Sequence, residues 1–253
     1  MLNAKHPKYR GAYLELLKGQ WADWSHLTIA VRSGCPLDRD EPDSPAYRRQ
    51  FTRAMHHRSL EVSARVAAQI DLQRAETLLD LGGRPGTYAM AFLARYPQLR
   101  AIVCDRVPAL AVAKEIAATH KARKRLSYLP LNFMVEALPG QYDVVWYSNV
   151  LHIYSPQENQ ALFRRVYSAL PPGGRLIIQD AFLHDREGLY PEEASLFAVS
   201  MLLFTDRGNT YSFRETAEWL RGAGYVKIRP IKMKKGTEDW DGGLLEAVRG
   251  AGR

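Results

Sequence analysis

The sequence predicts an α/β fold: a doubly wound, mostly parallel sheet preceded by a helical segment. Three observations carry this prediction. Apolar runs of strand length alternate with helical periodicities from about residue 77 onward, a glycine-rich turn joins the first run to the first helix, and an acidic residue ends the second run. The chain has 253 residues, 46% of them hydrophobic and 25% charged, enough for a full buried core.

Residues 1–74 read as a helical linker or lid, and 75–253 as the main domain. Residues 13–17 and 21–31 are short apolar segments. Residues 35–45, rich in Pro, Asp, Glu and Ser, cannot continue a helix and read as a loop. From 47 to 70 the residues Phe51, Met55, Leu60, Val62, Val66 and Ile70 recur at mostly helical spacing, so this stretch is a helix with one buried face.

Residues 77–81 form the first strand, which ends in Gly82-Gly83-Arg84-Pro85-Gly86, and 87–95 form a buried helix. A second strand at 101–104 leads into a helix over about 109–120. Residues 143–149 are a further strand, followed by a helix from about 157 to 170. Ser155-Pro156-Gln157-Glu158 opens that helix with both a capping box and a proline at the first helical position. Pro171-Pro172-Gly173-Gly174 stops it, and 175–179 is the next strand.

Several classes are excluded. The best apolar stretch, 194–204, is too short to span a membrane and is flanked by Glu192, Glu193, Asp206 and Arg207. Residues 1–10 carry Lys5, Lys8 and Arg10 with no apolar region behind them, so they do not read as a secretory signal, and a cytoplasmic protein is expected. Cys35 and Cys104 are too few for a disulfide scaffold and lack partners at metal-ligand spacing, so no metal is expected. The net charge of +8 is scattered, with short basic runs only at 121–125 and 232–235. These read as solvated faces, and nucleic acid is not an expected partner.

In a sheet of this kind, ligands bind beyond the carboxyl ends of the strands. The glycine-rich turn from Asp80 to Thr87 lets a ligand approach backbone and helix N-terminus closely. Asp105, at the end of the next strand, is suited to accept hydrogen bonds from two ribose hydroxyls. The pairing points to a nucleoside-containing cofactor. Counting from either Gly82 or Gly83 fails to produce G-x-G-x-x-G, which disfavours a dinucleotide, and the absence of Gly-Lys-Ser/Thr disfavours a nucleoside triphosphate.

Five ordered blocks resemble the S-adenosylmethionine (SAM)-dependent small-molecule O-methyltransferases: LLDLGGRPGTYA (78–89), AIVCDRVPAL (101–110), YDVVWYSNVLHIYSPQE (142–158), PPGGRLIIQD (171–180) and GNTYSFRETAEWLRGAGY (208–225). The resemblance implies a Rossmann-like methyltransferase fold and SAM as cofactor. It places Asp80, Gly82, Gly83 and Gly86 in the cofactor loop and Asp105 on the ribose. Arg106 and Asn149, within the second and third blocks, are expected at the cofactor too. Asn132-Phe133 stands where the family has Asp-Phe against the adenine, and an Asn carbonyl is still able to accept from the adenine amino group. His152 matches the family's catalytic base and Asp180 the acid that orients it; imidazole is also the side chain best able to take a proton near neutral pH.

Two departures stand out. Arg84 replaces a glycine of the family's loop, where a positive φ would strain it and an inward side chain would fill cofactor space. Thr210 replaces a second acid that plant members place near the catalytic histidine. The resemblance further implies a methyl acceptor that is a small aromatic or polyketide-like molecule. The family's N-terminal dimerisation domain is expected to be missing, which leaves a homodimer without its usual interface. Hydroxylation or decarboxylation on the same scaffold, and a non-catalytic binding protein, are the rival readings. His56, His57 and His184 are expected at the surface, with a place in the substrate pocket as the alternative, whereas Met201, Leu202, Leu203 and Phe204 read equally as substrate wall or core.

Overall fold

The computed structural model describes residues 9–36, 44–184, 187–232 and 242–251. Three short helices, α1 (Gly11–Gly19), α2 (Trp21–Trp24) and α3 (Leu27–Ser33), precede the long α4 (Pro45–Gln69). There follow β1 (Thr77–Leu81), α5 (Thr87–Arg95), β2 (Arg100–Asp105), α6 (Val107–Ala117), β3 (Leu126–Pro130) and β4 (Val144–Ser148). The chain continues through α7 (Pro156–Ser168), β5 (Arg175–Asp180), α8 (Glu192–Phe204), α9 (Phe213–Gly222), β6 (Tyr225–Ile231) and β7 (Gly243–Arg249).

The strands form one sheet in the order β3-β2-β1-β4-β5-β7-β6, parallel from β3 to β5 and antiparallel at the β7-β6 edge. Chain direction across the sheet reverses between β1 and β4, which makes their carboxyl ends the switch point where ligands bind in open α/β sheets. Leu81 pairs with Cys104 of β2 on one side and Tyr147 of β4 on the other, so the three strand ends are level.

Alternation along the strands builds two cores. Leu78 and Trp146 face a cluster that includes Val66 of α4, Ile70 just beyond it and Phe92 of α5. Leu79, Val145 and Tyr147 face the opposite cluster, with Phe163 of α7, Ile178 and Tyr225. Both faces of the central strands are buried, as helix-covered parallel strands require.

The structure extends the sequence reading at several points. Pro45 opens α4 and does not belong to the loop, because the Ser44 hydroxyl caps the helix by accepting from the Tyr47 N–H. Residues 37–43 of that expected loop, 1–8 of the N-terminus and 233–235 of the second basic run lie outside the described residues. The helix expected over 109–120 begins at Val107, with Pro108 in its first turn, and ends at Ala117. β3, β6 and β7 were not marked at all: β3 and β6 are the two edges of the sheet, and the Lys and Arg facing solvent along β6 blur any apolar run.

Candidate active site

Asp80, the penultimate residue of β1, is a buried acid, its Oδ2 accepting from the Ala89 N–H at 3.3 Å. Burial pushes its carboxyl up to about 7. The turn after it needs glycine for two separate reasons. Gly82 has φ +72, and a Cβ there would lie 2.8 Å from Val150 and 3.3 Å from Phe133. A Cβ on Gly83 would lie 2.6 Å from both Asp80 oxygens. The backbone of the turn is thereby held against Asp80 on one side and Phe133 on the other, with no side chain in between.

Asp105 ends β2 and is buried. Its Oδ1 accepts from the Arg106 N–H at 2.7 Å and its Oδ2 from the Arg84 N–H at 3.2 Å. Burial raises its pKa, while the Arg84 and Arg106 charges and the two N–H groups pull it back. Each oxygen keeps a lone pair for a further donor. Arg84 does take the strained left-handed backbone, at φ +30, but its guanidinium lies over the Phe51 ring of α4, 4.9 Å from the centroid. Phe133 is buried beside Gly82, edge-on to Tyr154. Asn132 is half-buried on the same loop. Asn149, beyond β4, has φ +56 and donates its N–H to Gln179.

His152 sits in a single 3₁₀ turn, Leu151–Ile153, beyond the carboxyl end of β4. It is 8% exposed, and its Nδ1 lies 2.8 Å from Oδ1 of the buried Asp180 at the end of β5. The ring packs edge-on against Phe197 of α8, 4.8 Å between centroids, and Nε2 makes no hydrogen bond among the described residues. Asp180 Oδ1 also accepts from the Ala181 N–H, whereas its Oδ2 is buried with no partner among the described residues. The His152 carbonyl accepts from the Asn209 N–H and lies so close to Gly208 that a side chain would collide with it. The Thr210 hydroxyl, also buried, has no partner among the described residues.

The structure thus brings Asp80, Gly82, Gly83, Gly86, Asp105, Arg106, Asn132, Phe133, Asn149, His152 and Asp180 to one edge of the sheet, at the ends of β1 to β5. Phe197 was not foreseen, because only the tertiary packing of α8 brings it to His152. His56 is not the surface residue expected: its Nδ1 lies 2.8 Å from the Thr87 hydroxyl at the start of α5, and burial lowers its pKa to about 4. His184 is exposed. Met201 and Leu203 are buried in the core, while Leu202 and Phe204 are half-buried. No group of His, Cys, Asp and Glu among the described residues could hold a metal, and none of the described helices is long and apolar enough to cross a membrane.

Residues 30–226 match the family model of an O-methyltransferase domain. The chain is 27% identical to a 3-hydroxy-5-methyl-1-naphthoate 3-O-methyltransferase of Streptomyces sahachiroi, over 90% of this chain and 67% of that one. It is 30% identical to a mitomycin biosynthesis 6-O-methyltransferase of Streptomyces lavendulae, over 85% of this chain and 63% of that one. It therefore spans about two thirds of the length of these curated relatives. Among solved structures, human N-acetylserotonin methyltransferase in complex with SAM superposes with a TM-score of 0.86 at 22% identity, over 99% of this chain and 73% of that one, a likeness of fold.

Proposed function

The chain belongs to the O-methyltransferase family, and from that premise we propose that it moves a methyl group from SAM to a hydroxyl of a small aromatic or polyketide-like molecule. The observation that carries the catalytic part is the buried His152–Asp180 pair, with Nδ1 and Oδ1 2.8 Å apart. A carboxylate at that distance accepts a hydrogen bond from Nδ1–H and leaves the Nε2 lone pair free, the tautomer a general base needs. Phe197 against the ring and the Asn209 N–H on the His152 carbonyl hold the imidazole in place.

The site suits a nucleoside-bearing cofactor. Asp105 is buried, retains acceptor capacity on both oxygens and is aimed by two backbone N–H groups, as recognition of vicinal ribose hydroxyls requires. Gly82 and Gly83 leave the turn bare of side chains, and Phe133 offers an apolar ring beside it. Asp105 would hold the ribose, with Arg106 beside it; Phe133 and the Asn132 amide would receive the adenine; Asp80 would brace the turn and Asn149 the rim of β4. The cofactor supplies a methyl group already activated on a sulfonium. What remains for the protein is to hold the acceptor oxygen in line with that group and to take up its proton as the new bond forms, which His152 does through Nε2 while Asp180 stabilises the imidazolium.

The test is incubation with methyl-labelled SAM and a panel of phenolic and polyketide-derived acceptors. Wild type is expected to deliver label to an acceptor oxygen, with a product heavier by one CH₂, and His152→Ala to lower kcat by about 10²- to 10⁴-fold. An unlabelled or decarboxylated product, or an undiminished His152→Ala enzyme, would overturn the reading.

A further inference from the structure

Arg84 occupies a costly position for a reason the catalytic reading leaves unexplained. A non-glycine residue at φ +30 is strained, a cost that glycine would avoid. In return Arg84 makes two contacts in opposite directions. Its N–H donates to Oδ2 of Asp105 at 3.2 Å, opposite the Arg106 N–H on Oδ1, so the carboxylate is pinned at both oxygens. Its guanidinium lies over the Phe51 ring of α4, 4.9 Å from the centroid, with both residues half-buried.

α4 is tied to the same region at two more points. His56 bonds the Thr87 hydroxyl where the glycine-rich turn becomes α5, and Arg49 and Arg53 bind Glu115 of α6 at 2.7 and 2.8 Å. Phe51 and His56 are therefore the part of α4 that flanks the turn, and Arg84 is the residue joining that part to the ribose acid.

We propose that Arg84 is a positioning residue for the nucleoside end of the cofactor, coupling the orientation of the Asp105 carboxylate to the docking of α4 through Phe51. The coupling rests on the cofactor reading above; the tie between Arg84 and Phe51 does not. Occupancy of Asp105 by ribose hydroxyls then steadies the turn around Arg84, and with it the 47–57 portion of α4.

The experiment has a ligand-free and a liganded arm. In the first, hydrogen exchange over residues 47–57 is compared in wild type, Arg84→Gly, Arg84→Lys and Phe51→Leu. Glycine is relaxed at positive φ, so Arg84→Gly keeps the turn. Faster exchange in Arg84→Gly and Phe51→Leu is expected, with Arg84→Lys between them and wild type, because an ammonium keeps the charge but not the planar stacking. In the second arm, the preference for adenosine over 2′,3′-dideoxyadenosine is measured by calorimetry. Arg84→Gly keeps the backbone N–H that Asp105 accepts from but unties the turn from Phe51 and removes the guanidinium charge beside Asp105, and should measurably reduce that preference. Exchange that does not respond to Arg84→Gly overturns the tie; an unchanged ribose preference makes Arg84 a plain fold contact and overturns the proposal. A wild type with no preference for the ribose hydroxyls would instead sink the cofactor reading, and the ligand-free arm would still decide the Arg84–Phe51 tie.

Discussion

The Asp180 carboxylate illustrates how much of the chemistry depends on single atoms. One oxygen serves His152 and the Ala181 N–H, and the other is buried with no partner among the described residues, so the imidazole is oriented by a single oxygen. Asp180→Asn preserves shape but offers an amide that is able to donate to Nδ1, which favours the wrong tautomer. That variant should lose about 10²-fold or more in kcat with KM little changed, as steady-state kinetics on the labelled acceptor would show. At this scale the sequence was informative wherever a motif placed a residue after an apolar run: Asp80, Asp105, His152 and Asp180 all stand at strand ends. It was silent on Phe197 and on the His56–Thr87 bond, since each joins residues from separate helices or from a helix and a loop and neither carries a local pattern.

Helix starts were the most legible elements, because their signals are local. The capping box on α7 is present in both directions: the Ser155 hydroxyl accepts from the Glu158 N–H, and the Glu158 carboxylate accepts from the Ser155 N–H. Ser155→Ala should destabilise the protein by about 1 kcal/mol in urea titrations, with little effect on cofactor affinity. An unchanged midpoint would show that the cap contributes nothing beyond what water replaces. A second box, Ser212 with Glu215 at the head of α9, went unmarked within a block that was read only for its resemblance. Strand legibility followed burial. β1, β4 and β5 are buried on both faces and read as continuous apolar runs, whereas β6 is an exposed edge and carries none.

Across the whole molecule, the parallel order β3-β2-β1-β4-β5 sets the carboxyl ends of β1, β2, β4 and β5 along one edge, and every candidate residue follows from that placement. Alternation of strands and helices was enough to predict it; the antiparallel β7-β6 pair was not predictable, because β6 lacks an apolar run and that of β7 is interrupted by Glu246. Placing an acid at the buried end of β1 carries a global cost. Asp80 has its pKa raised by burial to about 7 in the fold, against about 3.9 in an unfolded chain. The folded state thus holds the extra proton, and stability falls as pH rises from about 4 to about 7. Asp80→Asn removes that slope, so its stability relative to wild type should increase between pH 5 and pH 7.5 in urea titrations; a difference independent of pH would place the Asp80 titration elsewhere. The central claim, a nucleoside-bearing cofactor held at Asp105 for methyl transfer, is tested most directly by calorimetric titration of S-adenosylhomocysteine into wild type and Asp105→Ala. Saturable binding to wild type that Asp105→Ala abolishes is the predicted result, and either no binding to wild type or equal binding to both would contradict it.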